Sequence, residues 1–243
     1  MLWTDRKEPF EGWGLSFACE WSRTEKNETG YRKVPIGEVV RPTDGLIKAS
    51  RIPSRYVKDD FFSIPEVDEE TVSYKKTVSA YIQDIRKNLS SGKGISFFGP
   101  EGSGKTSAAC FIIRQVISLG VPSVFVRAQE IVDLVKSFGR NDPITASGLP
   151  LSYRLNHSRF VVVDDIALAG GKDWRVVIEN YIRDLYNERR VFAVTSGHPL
   201  DVLSGRVGSG FDSPYSPGFV GIIREGTKQV NVPQSIYFRF GEE

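Results

Sequence analysis

Eight consecutive residues, Gly99-Pro100-Glu101-Gly102-Ser103-Gly104-Lys105-Thr106, constrain this chain more than any other stretch. They fit the pattern G-x-x-x-x-G-K-[ST] at every position. Glycines in such a loop let successive backbone N–H groups curl around phosphate oxygens, and the helix that follows adds the positive end of its dipole. The flanks suit that geometry: Ile95-Ser96-Phe97-Phe98 reads as a short buried strand, and Thr106 to Leu119 as a helix with Gly120 just past its end. Residues 99–107, Ser107 included, are the expected nucleotide-binding set. Lys105 is expected to reach the β- and γ-phosphates and the Thr106 hydroxyl to bind Mg2+, which makes ATP and Mg2+ the expected ligands.

The same alternation continues downstream. Val121 to Val126 reads as a second strand, Ala128 to Phe138 as a helix, and Phe160-Val161-Val162-Val163 as a strand apolar on both faces, as buried parallel strands are. A long helix follows from Trp174 to Arg190, with Val177, Tyr181 and Leu185 inward, and then the buried strand Val191-Phe192-Ala193-Val194. Upstream, Val78, Ile82, Ile85 and Leu89 recur at helical spacing until Ser90-Ser91-Gly92. Residues 139–158 and 204–221 are rich in Gly, Ser, Pro and Asp and read as loop, and Val230 to Phe240 as short strands. This order predicts an α/β fold, a doubly wound parallel sheet of the P-loop NTPase kind.

A phosphate loop needs acidic and polar partners on neighbouring strand ends, where ligands of open α/β sheets collect. Asp164 and Asp165 follow the Phe160–Val163 run directly. Asp164 is the expected Mg2+ ligand with Thr106, and Asp165 the expected polariser of the attacking water. At the end of the next strand stands Thr195-Ser196, a hydroxyl pair suited to holding that water or sensing the γ-phosphate, with Ser196 taken as the site residue. His198, followed by Pro199, reads as a turn residue, and Cys110 and Trp174 as core.

Composition limits the alternatives. The 243 residues suffice for one full core, or one large and one small domain. Two cysteines and two histidines exclude a disulfide scaffold and make a zinc module improbable. No apolar run approaches a membrane span, and the charged N-terminus is unlike a signal peptide, so a soluble, cytoplasmic protein is expected. Net charge is only +2, and residues 1–50 hold eight basic and eight acidic side chains. Any nucleic-acid contact must therefore be a local positive patch. The best-placed segment is 139–159, where Arg140, Arg154 and Arg159 face only Asp142. Residues 1–50 show no sustained period and hold Trp3, Trp13 and Trp21 with Phe10 and Phe17 between. They are expected to form an irregular N-terminal arm that packs on the main domain (51–243) or docks a partner.

Several short stretches together resemble one family: Ile52-Pro53-Ser54-Arg55-Tyr56, the loop at 99–106, Val163-Asp164-Asp165-Ile166, Tyr186-Asn187-Glu188-Arg189-Arg190 and Thr195-Ser196-Gly197. In this order they look like the helicase-loader branch of the AAA+ ATPases, the DnaC/DnaI-type loaders and IstB-like transposition ATPases. The resemblance spans about residues 50–240 and implies an AAA+ core that hydrolyses ATP in a homo-oligomer. It also implies binding of single-stranded DNA and of a replicative helicase, or of a transposase in the IstB-like reading. Three departures stand out. Ala167 replaces a glycine after Asp-Asp-Ile; Gly197 stands where the family has Asn; and the region of the family's arginine finger offers Arg224 or, earlier, Arg206, with Arg224 preferred. Two readings from other classes remain open: a small-molecule or nucleotide kinase, and a nucleotide-gated binding module that hydrolyses little.

Overall fold

The computed structural model describes residues 21–27, 30–36, 47, 49–64, 66–137, 142–144, 148–168, 172–205 and 215–234. Strands β1 (Trp21–Asn27) and β2 (Gly30–Ile36) pair antiparallel, Trp21 opposite Ile36 and Asn27 opposite Gly30. The arm thus contains a hairpin that its sequence does not announce. Its strands mix charged, polar and apolar residues without alternation, so backbone pairing leaves no period-2 signal. Trp3, Phe10, Trp13 and Phe17 lie outside the described residues, as do Arg140 and Arg206.

The main sheet is built from β3 (Gly94–Phe98), β4 (Ser123–Arg127), β5 (Phe160–Asp164), β6 (Val191–Ser196) and β7 (Thr227–Asn231), in the spatial order β4-β5-β6-β3-β7 and parallel throughout. Helices α1 (Glu69–Gln83), α2 (Ile85–Ser91), α3 (Lys105–Ser118), α4 (Ala128–Lys136), α5 (Leu151–His157), α6 (Lys172–Asn187), α7 (Leu200–Leu203) and α8 (Pro217–Gly226) fill the connections. One face of the sheet packs Ile95, Phe97, Val162 and Ala193 against α1 and α3; the other packs Val161, Val163, Phe192 and Val194 against α4, α5, α6 and α8. This is the doubly wound arrangement expected. Each strand of β3, β5 and β6 is buried along its whole length, which explains runs such as Phe160–Val163.

Differences from the sequence reading have local causes. The upstream helical run is two helices, jointed at Asp84, where the Asn88 side-chain amide donates to the Tyr81 carbonyl. Residues expected as loop contain α5 and α8. Helix α8 starts with Pro217 at its first position and Ser216 as N-cap, whose Oγ accepts from Phe219 N–H, while the Glu179 carboxylate accepts from both Ser216 N–H and Oγ. The inward stripe of α6 is Ile178, Ile182 and Leu185; Val177, Tyr181 and Trp174 are only partly buried, Trp174 lying under the Lys136 ammonium. Cys110 is in the core. Among the described residues no helix is long and apolar enough to cross a membrane.

Arg154 and Arg159 are not displayed as the expected patch requires. Arg154 is fully buried on α5, and Arg159 is half-buried with its guanidinium on the Leu89 carbonyl. The physical reason is α5 itself, whose Leu151, Arg154 and Leu155 form the inward face. Arg190 ties the end of that helix down, donating to the carbonyls of Ser158 (2.8 Å) and Leu155.

Candidate functional site

The phosphate-loop segment leaves the C-terminal end of β3 and enters α3. Its start is fixed by the sheet: Gly99 N–H donates to the Ser196 carbonyl (3.2 Å) and Val232 N–H to the Phe98 carbonyl (2.7 Å). A Cβ at Gly99 would sit 2.7 Å from the Val232 carbonyl oxygen, so only glycine fits there. Gly102 and Gly104 have φ of 75° and 87°, the left-handed turns that curl the loop. The Lys105 ammonium, nearly buried, donates to the Pro100 carbonyl at 2.6 Å. Burial lowers the lysine's pKa, opposed by the charges of Asp165, Asp164 and Glu101. The Ser103 hydroxyl is fully buried and makes no hydrogen bond among the described residues.

The two acids take up different positions. Asp164 is buried at the end of β5, where one carboxylate oxygen accepts from Thr106 Oγ1 (2.9 Å) and from Thr195 Oγ1 (2.6 Å). Burial raises its pKa; the two hydroxyl donors and Lys105 pull the other way. Asp165 is half-buried and holds a left-handed backbone, φ 59°, which Asp tolerates better than most residues. Its N–H donates to Thr195 Oγ1 at 2.8 Å. Burial and then the neighbouring Asp164 charge raise its pKa, with Lys105 opposing.

Thr195 therefore occupies the position expected of Ser196. The Ser196 hydroxyl is buried and folded back on its own turn, donating to the His198 carbonyl and accepting from His198 N–H. Strand parity explains the exchange. Parallel pairing sets Val163 beside Val194, so Asp164 and Thr195 share a face with Phe97 and α3, while Ser196 faces the other way. Arg224, on the last turn of α8, is exposed and pairs with Asp201 at 2.7 Å.

A cleft of about 430 Å³ opens beside the loop, lined by Gly102, Gly104, Lys105, Thr106, Ser107, Asp165 and Thr195 on one side. Its other wall is Arg55, Tyr56, Asp59 and Asp60. Arg55 lies 4.4 Å over the Tyr56 ring, and Ser107 Oγ donates to Asp59 (3.2 Å). From α3, Arg114 donates to the carbonyls of Val57 (2.6 Å) and Asp59, fastening this wall to the loop's own helix. Sequence reasoning quoted Arg55 and Tyr56 without giving them a place in the site. The missed signal is their proline-fixed turn, Pro53 to Tyr56, two helices and a strand upstream of the loop.

These residues fit a polyphosphate and a hard divalent cation. The loop offers curled backbone, a helix N-terminus, a buried ammonium and an orphaned buried hydroxyl; the Thr106–Asp164 pair offers the oxygen ligands that Mg2+ prefers.

Sheet order, phosphate loop and acid-tipped neighbouring strand define a P-loop NTPase fold with the sheet arrangement of an AAA+ core. More particularly, the chain is similar to helicase loaders and an insertion-sequence protein. The DnaC helicase loader superposes with a TM-score of 0.59 at 19% identity, covering 74% of this chain and 99% of that one. DnaI does so with 0.59 at 14% identity, covering 75% and 95%. At these identities the likeness concerns the fold. The ATP-binding protein of insertion sequence IS5376 from Geobacillus stearothermophilus is 34% identical over 103 residues, 42% of this chain. The chain matches only 38% of that relative's length. No protein-family model matches the chain. The resemblance to DnaC/DnaI-type and IstB-like proteins thus rests on the fold for the loaders and on a 103-residue sequence match for the insertion-sequence protein.

Proposed function

We propose that this protein is an AAA+ ATPase of DNA replication or transposition, binding ATP with Mg2+ in the cleft above β3 and β5. The observation that carries the reading is the convergence of Thr106, from the phosphate-loop helix, and Thr195, from β6, on one oxygen of buried Asp164. Residues 99–107 hold the phosphates, Lys105 neutralises them, and Thr106 with Asp164 holds Mg2+. When bound, the cation supplies charge neutralisation at the phosphate oxygens. Asp165 orients the attacking water and draws on its proton, a role suited to a carboxylate whose proton affinity is raised by burial and by Asp164. Thr195 replaces Ser196 in this assignment, because it fixes both acids.

The helicase-loader form of this reading adds a homo-oligomer, single-stranded DNA and a replicative helicase as partners. It makes 51–243 the ATPase domain, residues 1–50 a docking arm, and Arg224 the guanidinium offered to a neighbour's γ-phosphate. The DnaC and DnaI likeness supports it. The match to the insertion-sequence protein favours the second form, a transposition ATPase with a transposase as partner. Binding of a fluorescent ATP analogue tests the common core. Wild type is expected to bind and Lys105→Ala to lose binding by about a hundredfold or more, since a charge-assisted phosphate contact in a desolvated site contributes about 3 kcal/mol. Equal binding by both proteins refutes the site.

A further inference from the structure

Strand β7 ends the sheet, pairing with β3 on one side and, among the described residues, with no strand on the other. Its register decides which of its peptide groups are spare. Val232 N–H donates to the Phe98 carbonyl (2.7 Å), and along a parallel ladder the bonding side alternates residue by residue. Lys228 and Val230 therefore turn their peptide groups to β3, while Gln229 and Asn231 turn theirs outward. Both of these residues are exposed, and their outward N–H and C=O groups meet no partner among the described residues. Such a row is a template for one more strand.

A second concavity, also about 430 Å³, lies between α1, α2 and this strand, where Lys76, Lys93 and Lys228 face one acid, Asp84. Its floor is fixed. Tyr81 Oη donates to the Lys93 carbonyl (2.9 Å), the Asn88 amide to the Tyr81 carbonyl (3.0 Å), and the Lys93 ammonium to the Glu225 carbonyl. Lys76 and Lys228 are exposed, and neither forms an ion pair among the described residues. A lone edge lysine discourages pairing with strange strands. Three gathered on one face do something narrower: they reject basic and neutral strands and admit one that brings carboxylates.

We infer that the β7 edge takes up an extended acidic peptide as an added strand, with carboxylates on alternate residues. Main-chain bonds at Gln229 and Asn231 supply the pairing, and the lysines select the side chains. Successive strand residues point to opposite faces and neighbouring strands lie about 4.8 Å apart, so every second side chain of the added strand falls on the Lys228 face. The large hydrophobic side chains that are exposed line no part of the groove, so it offers nothing to the apolar face of a helix. This surface goes beyond the nucleotide reading and does not depend on it.

The test is fluorescence anisotropy of a labelled peptide alternating Glu and Thr, with the full chain across a salt series. Wild type is expected to bind it. Lys76→Gln/Lys228→Gln should weaken binding about fivefold at low salt, a loss that shrinks as salt screens the pairs. Gln229→Pro removes one outward N–H at a position where an edge strand tolerates proline, and should cost about fivefold at every salt, for one hydrogen bond. The same peptide N-methylated on the amides of alternate residues keeps its charge and should bind about tenfold or more weakly; it needs no altered protein, so it decides the matter even if a variant misfolds. The ATP analogue should bind every variant as it binds wild type. No peptide binding by wild type, or equal binding of the N-methylated peptide, overturns the proposal. Equal binding of a peptide with its glutamates in one block overturns it in favour of bulk charge. Self-association that Gln229→Pro abolishes, with no peptide bound, overturns it in favour of a second copy of this chain. Failure of the nucleotide reading shows separately, as wild type that does not bind the ATP analogue.

Discussion

Replacing Thr195 by Val is the sharpest probe of how the two acids are held. The shape of the side chain is kept, but Asp164 loses the shorter of its two hydroxyl donors (2.6 Å against 2.9 Å from Thr106), and Asp165 N–H loses its acceptor. A hydrogen bond to a charged group contributes about 1.5–3 kcal/mol, and the stranded N–H costs about another 1 kcal/mol because Asp165 is only half-buried. The expected loss is about 3 kcal/mol, a drop in Tm of about 6 °C at this chain length. The sign with pH follows from Asp164. Its folded-state pKa lies above the usual value, so the folded protein binds the extra proton and stability falls as pH rises through that window. Thr195→Val removes a hydrogen bond that lowers this pKa, so the window extends upward. The deficit should therefore be largest near neutral pH and shrink on acidification through the carboxylate range, as Asp164 takes up its proton. Thermal melts at a series of pH values measure this. A deficit constant with pH, or one that persists undiminished in an Asp164→Asn background, refutes the coupling; the ~1 kcal/mol of the stranded Asp165 N–H should remain there.

Three further outcomes are expected. Asp165→Asn should keep ATP-analogue binding within about threefold yet lose turnover by about a hundredfold or more, in a phosphate-release assay, because the role proposed for it lies in the transition state. Arg224→Ala should cost under ~1 kcal/mol of stability, as its ion pair with Asp201 is exposed. If Arg224 is the trans guanidinium, that variant binds nucleotide but does not turn over, and mixing it with Asp165→Asn restores some turnover. No rescue there, with rescue for Arg206→Ala, moves the role to Arg206. Arg154→Ala should cost about 3 kcal/mol in urea unfolding, because the side chain is part of the interior, and leave the salt slope of DNA binding unchanged.

What the sequence made legible is what short-range physics writes into it. The loop at 99–106 announces itself because its glycines and lysine must be consecutive, and β3, β5 and β6 because strands buried on both faces read as apolar runs. Ser196 stood for Thr195 in the sequence reading because β6 is buried throughout, and only the register with β5 decides which hydroxyl faces Asp164. The start of α8 was legible in Ser216-Pro217, but the glycine-rich stretch before it masked the signal. Arg154 misled for the opposite reason: a charge in a polar stretch gives no hint of burial until α5 is known to be a helix.

The Lys105 ammonium resting on the Pro100 carbonyl has a consequence for how the site loads. A cation that deep, with no acceptor, would push the loop open toward water. Here the loop supplies its own acceptor from five residues upstream, and so holds its curled shape through its own bonds. Arrival of a phosphate is then a trade of one oxygen for another at the same ammonium, not a gain from nothing. The free energy released on loading is a difference between two bonds, so the site is built ready-shaped and the hold it exerts is moderated by the bond it must give up.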